Sequence, residues 1–199
     1  RNKYKMIKNK HIDVGCGSQP RNPFGSEELY GIDIIEQSSD DFHYVQSNIV
    51  LDPLPFEDST FDSISAYDFL EHIPRLIIDN NKSRFPFIDF MNEAYRVLKP
   101  NGVFYAITPY YPRNEAFVDP THVNIISKNT YKYFTHPKYG ASIYGFVGKF
   151  KVMRMKKIKF SQEINKHNYL IKLLKDIFYS LYYTKKSHLL WEFRAIKDE

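Results

Sequence analysis

The 199-residue sequence predicts an α/β domain: a mostly parallel seven-stranded sheet with helices on both faces and an antiparallel C-terminal hairpin carrying a helical insertion. Three observations predict it. Short apolar runs alternate with clusters of turn-forming residues through the first 110 positions, a helix-spaced segment follows the fourth run, and the pattern changes after residue 126. Strands that alternate with helices return to the same sheet edge by right-handed crossovers, which makes the sheet parallel.

The strands are read in order at 11–15 (HIDVG), 29–34 (LYGIDI), 43–49 (HYVQSNI) and 61–67 (FDSISAY). From Ser83 to Lys99, Phe87, Phe90, Met91, Ala94, Tyr95 and Leu98 recur at spacings of three and four, which lines one helical face. Pro86 fits the first turn of that helix, and Lys99-Pro100-Asn101-Gly102 stops it. A fifth strand follows at 103–110. Beyond 126 the reading is a short helix at 127–134 capped by Ser127, a long strand within 143–160, an amphipathic helix at 164–183 and a last strand at 189–197. The two final strands are expected to pair antiparallel.

Composition bounds the rest. With 43% hydrophobic residues the chain supports one sizeable core, so a single domain is read over 1–199, divided into a core at 10–110 and a loop, helix and hairpin region at 111–199. The 28 Lys and Arg against 23 Asp and Glu leave +5, concentrated in residues 1–10 and 151–160, too modest and too local for a nucleic-acid surface. Cys16 is the single cysteine, which excludes a disulfide framework and a cysteine zinc site and suits a reducing cytoplasm. No apolar run approaches the roughly 20 residues of a membrane span. The chain starts at Arg1, and no N-terminal targeting is read from it. Sixteen Tyr, sixteen Phe and one Trp fill a generous core or build a site that stacks on sugars or bases.

Two strand ends carry the chemistry. Asp13, Gly15, Cys16 and Gly17 close the first strand, where an open parallel sheet places its ligand crevice and where glycine lets the backbone approach a ligand. Asp33, followed by Ile34, ends the second strand 18 residues after Gly15, near the offset at which a carboxylate accepts hydrogen bonds from ribose hydroxyls.

These words, with LPFEDSTFDSISAYDFLEHI, EAYRVLKPNGVFYAITP and DPTHVN, resemble the class I, Rossmann-like S-adenosylmethionine-dependent methyltransferases, especially those acting on small molecules or saccharides. The resemblance covers about residues 10–135. It implies that Gly15 and Gly17 lie under the methionine part of the cofactor, that Asp33 binds its ribose, and that Asn48, with Ile49 flanking the ring, faces the adenine. It also places Tyr67 along the methionine and His72 near the mouth of the site, making 10–110 the cofactor-binding core and 111–199 the acceptor side. Gln19 replaces the family's usual third glycine, and Pro20 and Pro23 interrupt its first helix, so a shortened or broken helix is expected. This disfavours a dinucleotide, whose pyrophosphate needs a regular helix N-terminus, more than it disfavours S-adenosylmethionine.

For catalysis, the long loop after the fifth strand places Asp119 and His122 one turn apart in DPTHV. His122 is the candidate base for a hydroxyl acceptor, oriented by Asp119; the alternative is a structural pair capping the turn. His72 reads as a second catalytic candidate or as a packing residue, and Asp68 and Glu71 as either site or solvent-facing groups. Asp119, His122, His72 and His136 make no recognisable ligand set, so no metal is expected. Cys16 reads as a small buried residue. The helix at 164–183 docks on the domain, closes as a lid, or binds a membrane surface through Lys166, Lys172 and Lys175. Rival functions are an RNA-modifying methyltransferase, disfavoured by the absence of an Asn-Pro-Pro-Tyr type of motif, and a non-catalytic cofactor-binding partner protein.

Overall fold

The computed structural model describes residues 9–159 and 186–197, and the helix expected at 164–183 lies outside them. Among the described residues nine strands form: β1 (Lys10–Val14), β2 (Glu28–Asp33), β3 (His43–Gln46), β4 (Phe61–Tyr67), β5 (Ile77–Asp79), β6 (Lys82–Arg84), β7 (Leu98–Pro109), β8 (Phe150–Ile158) and β9 (His188–Ala195). Seven make one sheet in the order β3-β2-β1-β4-β7-β9-β8, and β5 and β6 make a separate hairpin. The pairs from β3 to β7 are parallel, while β9 is antiparallel to both β7 and β8. The sheet changes direction of travel between β1 and β4, and a ligand crevice belongs at the carboxyl ends of those two strands.

The helices expected on both faces reduce, among the described residues, to one α-helix, α1 (Pro86–Val97), and four short 3-10 turns. Phe87, Phe90, Met91, Ala94 and Val97 of α1 are buried in one cluster with Ile12, Val14, Ile64, Ala66, Phe104, Ala106, Trp191 and Phe193, which alternate along β1, β4, β7 and β9. That is the main core, on one face of the sheet. Arg96 of α1 clamps the 54–58 loop to it, with hydrogen bonds to Glu93, to Asp58 and to the carbonyls of Leu54 and Phe56.

On the opposite face the same strands present His11, Asp13, Ser63, Ser65 and Tyr105, all buried. The residues after β1 cross this face as an irregular segment, as Pro20 and Pro23 predict. The Arg21 backbone N–H donates to Asp13 Oδ2 at 2.8 Å, and the Phe24 ring meets His11 and Tyr105 edge-on. His11 spans Ser63 (2.7 Å) and Ser65 (2.9 Å), and Ser65 donates to Asp13 at 2.5 Å. A polar layer thus replaces the apolar underside of a helix, and every polar side chain in it has a partner.

Boundaries move where tertiary pairing overrides local pattern. α1 begins at Pro86 because Ser83 and Arg84 are spent in the β5–β6 hairpin, and β7 begins at Leu98, running through the expected stop, where Asn101 takes φ of 64°. β3 ends at Gln46. The helix expected at 127–134 is a 3-10 turn, Thr130–Tyr133, whose N-cap is Asn129; Ser127 instead pairs its hydroxyl with that of Thr130.

Candidate functional site

Gly15 has φ of 66°, and a Cβ there would sit 2.5 Å from the Phe69 ring, so the turn after β1 admits glycine alone. Gly17, at φ of 56°, faces open space. Its N–H donates to Asp33 Oδ2 at 2.9 Å, joining the ends of β1 and β2, while Oδ1 of Asp33 takes the Ile35 N–H at 3.2 Å. Beside this carboxylate Ile34 and Ile35 are exposed, an apolar shelf at a strand end. The structure therefore brings Gly15, Gly17, Asp33 and Ile34 together. Asn48 is exposed on the following loop with its Oδ1 accepting the Val50 N–H, and Ile49 is half-buried behind it.

Asp13 lies under this loop. Its oxygens are taken by Ser65 and the Arg21 N–H, and burial pushes its pKa up to about 6. Burial similarly holds His11 down at about 4. Tyr67 is buried with the Arg21 guanidinium 4.7 Å from its ring centroid. Cys16 packs against Gly31, and burial, then Asp13 and Asp33, push its thiol up to about 12, away from the thiolate form.

The second half of the site forms where β4 and β7 end. The 3-10 turn Leu70–His72 follows β4, and the carbonyl of Glu71 accepts the N–H groups of Val123 and Asn124, which docks the 119–124 segment against it. His122 Nε2 then lies 4.0 Å from Glu71 Oε1 and 3.9 Å from Asp119 Oδ2. Glu71 is 1% exposed, so it faces the interior and not solvent, and its Oε2 accepts the Thr108 hydroxyl at 2.9 Å. Burial pushes its carboxyl up to about 8, with the charge of Asp68 adding to the shift. Asp119, 47% exposed, is held below the usual carboxylate range by hydrogen bonds from Thr121. Thr121 also bonds His72 Nδ1 at 3.0 Å, and the His72 and His122 rings meet edge-on at 4.8 Å.

Sequence reasoning paired His122 with Asp119 and left Glu71 open; folding adds Glu71 as the buried partner. It also joins two residues that no local signal connects: His188 Nε2 lies 3.3 Å from Oδ1 of Asp68, which takes φ of 48° just after β4. Donor atoms of Glu71, His72 and His122 all lie within 4.8 Å of one another, whereas His136 sits apart beside Tyr139.

Next to this cluster a cavity of about 660 Å³ opens on the α1 side. Phe85, Tyr111, Tyr133 and Tyr144 line it with Ser127, Asn129 and Thr130, and Ile125 enters from the segment that carries His122. Arg75 at its wall is fixed by Asn124 Oδ1 and the Ile125 carbonyl.

Residues 12–106 match the family model of a methyltransferase domain. No curated protein matches the chain by sequence. Among solved structures, similar folds occur in the Haloferax volcanii complex between the Trm112 methyltransferase activator and a candidate methyltransferase, with a TM-score of 0.58 and 16% identity over 96% of this chain and 84% of that one. The YcgJ protein of Bacillus subtilis follows with a TM-score of 0.55 and 15% identity over 96% and 93% of the two chains. An S-adenosylmethionine-dependent methyltransferase from Mesorhizobium loti gives 0.54 and 12% identity over 94% and 91%. At these identities the likeness is one of fold. No helix among the described residues is long and apolar enough to cross a membrane. The sheet order and the glycine turn tied to Asp33 make a Rossmann-like fold of the class I kind, and within it residues 12–106 carry the match to a methyltransferase domain.

Proposed function

We propose that the chain is an S-adenosylmethionine-dependent methyltransferase acting on a hydroxyl oxygen of a small molecule or sugar, with His122 taking the hydroxyl proton. The observation that carries this reading is the approach of His122 Nε2 to two carboxylates, Glu71 at 4.0 Å and Asp119 at 3.9 Å, on a segment that also lines the adjoining cavity.

The residues fit the cofactor. Gly17 leaves open space that a Cβ would narrow, Asp33 has lone pairs beyond its two backbone partners for ribose hydroxyls, and the exposed Ile34 and Ile35 offer an apolar shelf to a flat base. The adenine contact falls to Ile49 and the Asn48 side chain, whose amide group remains outside the turn bond that Oδ1 makes. Arg21, over the Tyr67 ring and beside Asp13, is the cation available to an amino-acid carboxylate. When bound, S-adenosylmethionine supplies an electrophilic methyl group on a sulfonium.

The protein's own part is alignment and proton removal. A sulfonium transfer to an amine needs no base before attack, whereas a neutral hydroxyl gains nucleophilicity as its proton leaves. The His122 imidazole lies against the Glu71 and Asp119 carboxyl groups, within reach of a hydroxyl proton, and Thr108 fixes Glu71 from behind. The cavity's aromatic rings, with Ser127, Asn129 and Thr130 at intervals, suit a ring-shaped acceptor with one apolar face and hydroxyls at its edge. Methyl transfer to a panel of hydroxylated sugars and metabolites tests this. His122→Ala is expected to lower turnover by about 10²–10⁴-fold with cofactor affinity intact; undiminished turnover would remove His122 as the base.

A further inference from the structure

The geometry points to a divalent transition-metal site formed by Glu71, His72 and His122. Glu71 Oε1 is buried and has no hydrogen-bond partner among the described residues, although its sister oxygen is satisfied by Thr108. It faces His122 Nε2 at 4.0 Å, and a donor atom of His72 completes a set within 4.8 Å. A buried carboxylate oxygen without a donor is costly to keep, and a cation satisfies it directly.

The hydrogen bonds of Thr121 point to which nitrogen His72 offers. The Thr121 hydroxyl lies 2.6 Å from Asp119 Oδ1, an ionised acceptor that can only receive a proton. Thr121 therefore donates to Asp119 and accepts from His72 Nδ1–H, 3.0 Å away, which makes Nε2 the nitrogen that His72 can offer a cation. A carboxylate relayed to a histidine in this way is the outer shell that metal-bound imidazoles use.

Two imidazoles and one carboxylate suit zinc, manganese, iron or cobalt, and suit magnesium and calcium poorly, since those take all-oxygen sets. Bonds of about 2.0–2.2 Å place donors roughly 3.0–3.5 Å apart, so the side chains close by about 1 Å on binding. Three protein ligands leave an open coordination position. The catalytic use of that position rests on the hydroxyl-methylation reading above; the binding itself does not. There the ion would acidify the acceptor hydroxyl; His122, the base of the metal-free protein, would be spent as a ligand in the loaded protein, and Asp119 would take the proton instead. The hydroxyl proton passes to the Asp119 carboxylate and on to solvent. The oxygen's electron pair forms the new O–CH₃ bond, and the pair of the broken S–CH₃ bond stays on sulfur as a neutral thioether.

Chelator-stripped protein titrated with Zn²⁺ by calorimetry, and with Co²⁺ by visible absorption, tests the site. One ion per chain is expected, bound at least 10-fold more weakly by Glu71→Gln, His122→Asn and the half-buried His72→Gln, and unchanged by His136→Asn. S-adenosylmethionine binding of the same variants reports that they are folded. No uptake of either metal, or equal uptake by the three ligand variants, would overturn the site. Metal bound at these residues with methyl transfer indifferent to chelation would overturn its catalytic use and leave the methyltransferase reading standing. Failure of methyl transfer in both stripped and loaded protein, with the ion bound as expected, would count against the hydroxyl acceptor and support the site.

Discussion

Ser65 donates a 2.5 Å hydrogen bond to Asp13 across the β1–β4 pair, so the carboxylate that opens the glycine turn is fixed by the neighbouring strand before any ligand arrives. His11 holds the other side of the same serine. The polar layer is thus a rigid base for the turn that carries Gly15 and Gly17.

Its two titrating groups predict a pH signature. His11, at about 4 when folded against an ordinary 6.5, stabilises fully above pH 6.5 and loses that contribution as pH falls toward 4. Asp13, raised from 3.8 to about 6, contributes most below 3.8 and loses it as pH rises through 6. Between pH 4 and 6 the two slopes oppose and cancel. His11→Asn is therefore expected to lose stability by about 2–3 kcal/mol from pH 4 to 6, and Asp13→Asn to gain a similar amount over the same interval. Denaturant titrations at stepped pH check this, and parallel profiles for the two variants would contradict it.

The two glycines of the turn separate stability from binding. Gly15→Ala meets both a positive φ and the Phe69 ring at 2.5 Å, and is expected to cost about 2–4 kcal/mol of folding stability. Gly17→Ala meets the positive φ with open space beyond, so it costs about 1 kcal/mol and shows instead as weaker S-adenosylmethionine binding. Thermal melts with and without cofactor distinguish the two.

Thr108→Val removes the hydroxyl that holds Glu71 Oε2 and keeps the shape of the side chain. About 1–2 kcal/mol of stability is expected to be lost, since a buried carboxylate oxygen is left without a donor, and methyl transfer falls with it. Thr108→Ser restores both. Equal activity of the valine and serine variants would contradict a supporting role for this bond.

The Tyr144 and Phe85 rings pack at a 57° tilt, centroids 5.5 Å apart, in the wall of the 660 Å³ cavity. Tyr144→Ala is expected to raise the acceptor KM about 10-fold with little change in kcat, because the ring contributes ground-state binding far from the transferred methyl. A fall in kcat at unchanged KM would place the acceptor elsewhere.

Much of this architecture was legible in the sequence for physical reasons. HIDVG, LYGIDI and FDSISAY are short runs between turn formers, and the Pro20–Pro23 stretch forbids a regular first helix, as found. The β5–β6 hairpin also had a local signal, since Asn80 and Asn81 at φ of 47° and 61° make the two-residue turn that asparagine favours. Other features had none. Glu71 sits in a polar DFLEH stretch, and only the docking of the 119–124 segment on its carbonyl buries it. Asp68 and His188 are 120 positions apart and meet because β9 inserts beside β7. The polar underside is equally tertiary, as His11 and Ser63 look like surface residues until the 18–27 segment crosses them.

The central claim is that the β1–β2 turn holds the cofactor while the Glu71–His122 cluster does the proton chemistry. Calorimetry of S-adenosylmethionine binding tests it most directly. Asp33→Ala is expected to weaken binding at least 10-fold by removing the ribose acceptor, and His122→Ala to leave it within about twofold. Binding unchanged in Asp33→Ala, or lost in His122→Ala, would contradict that division.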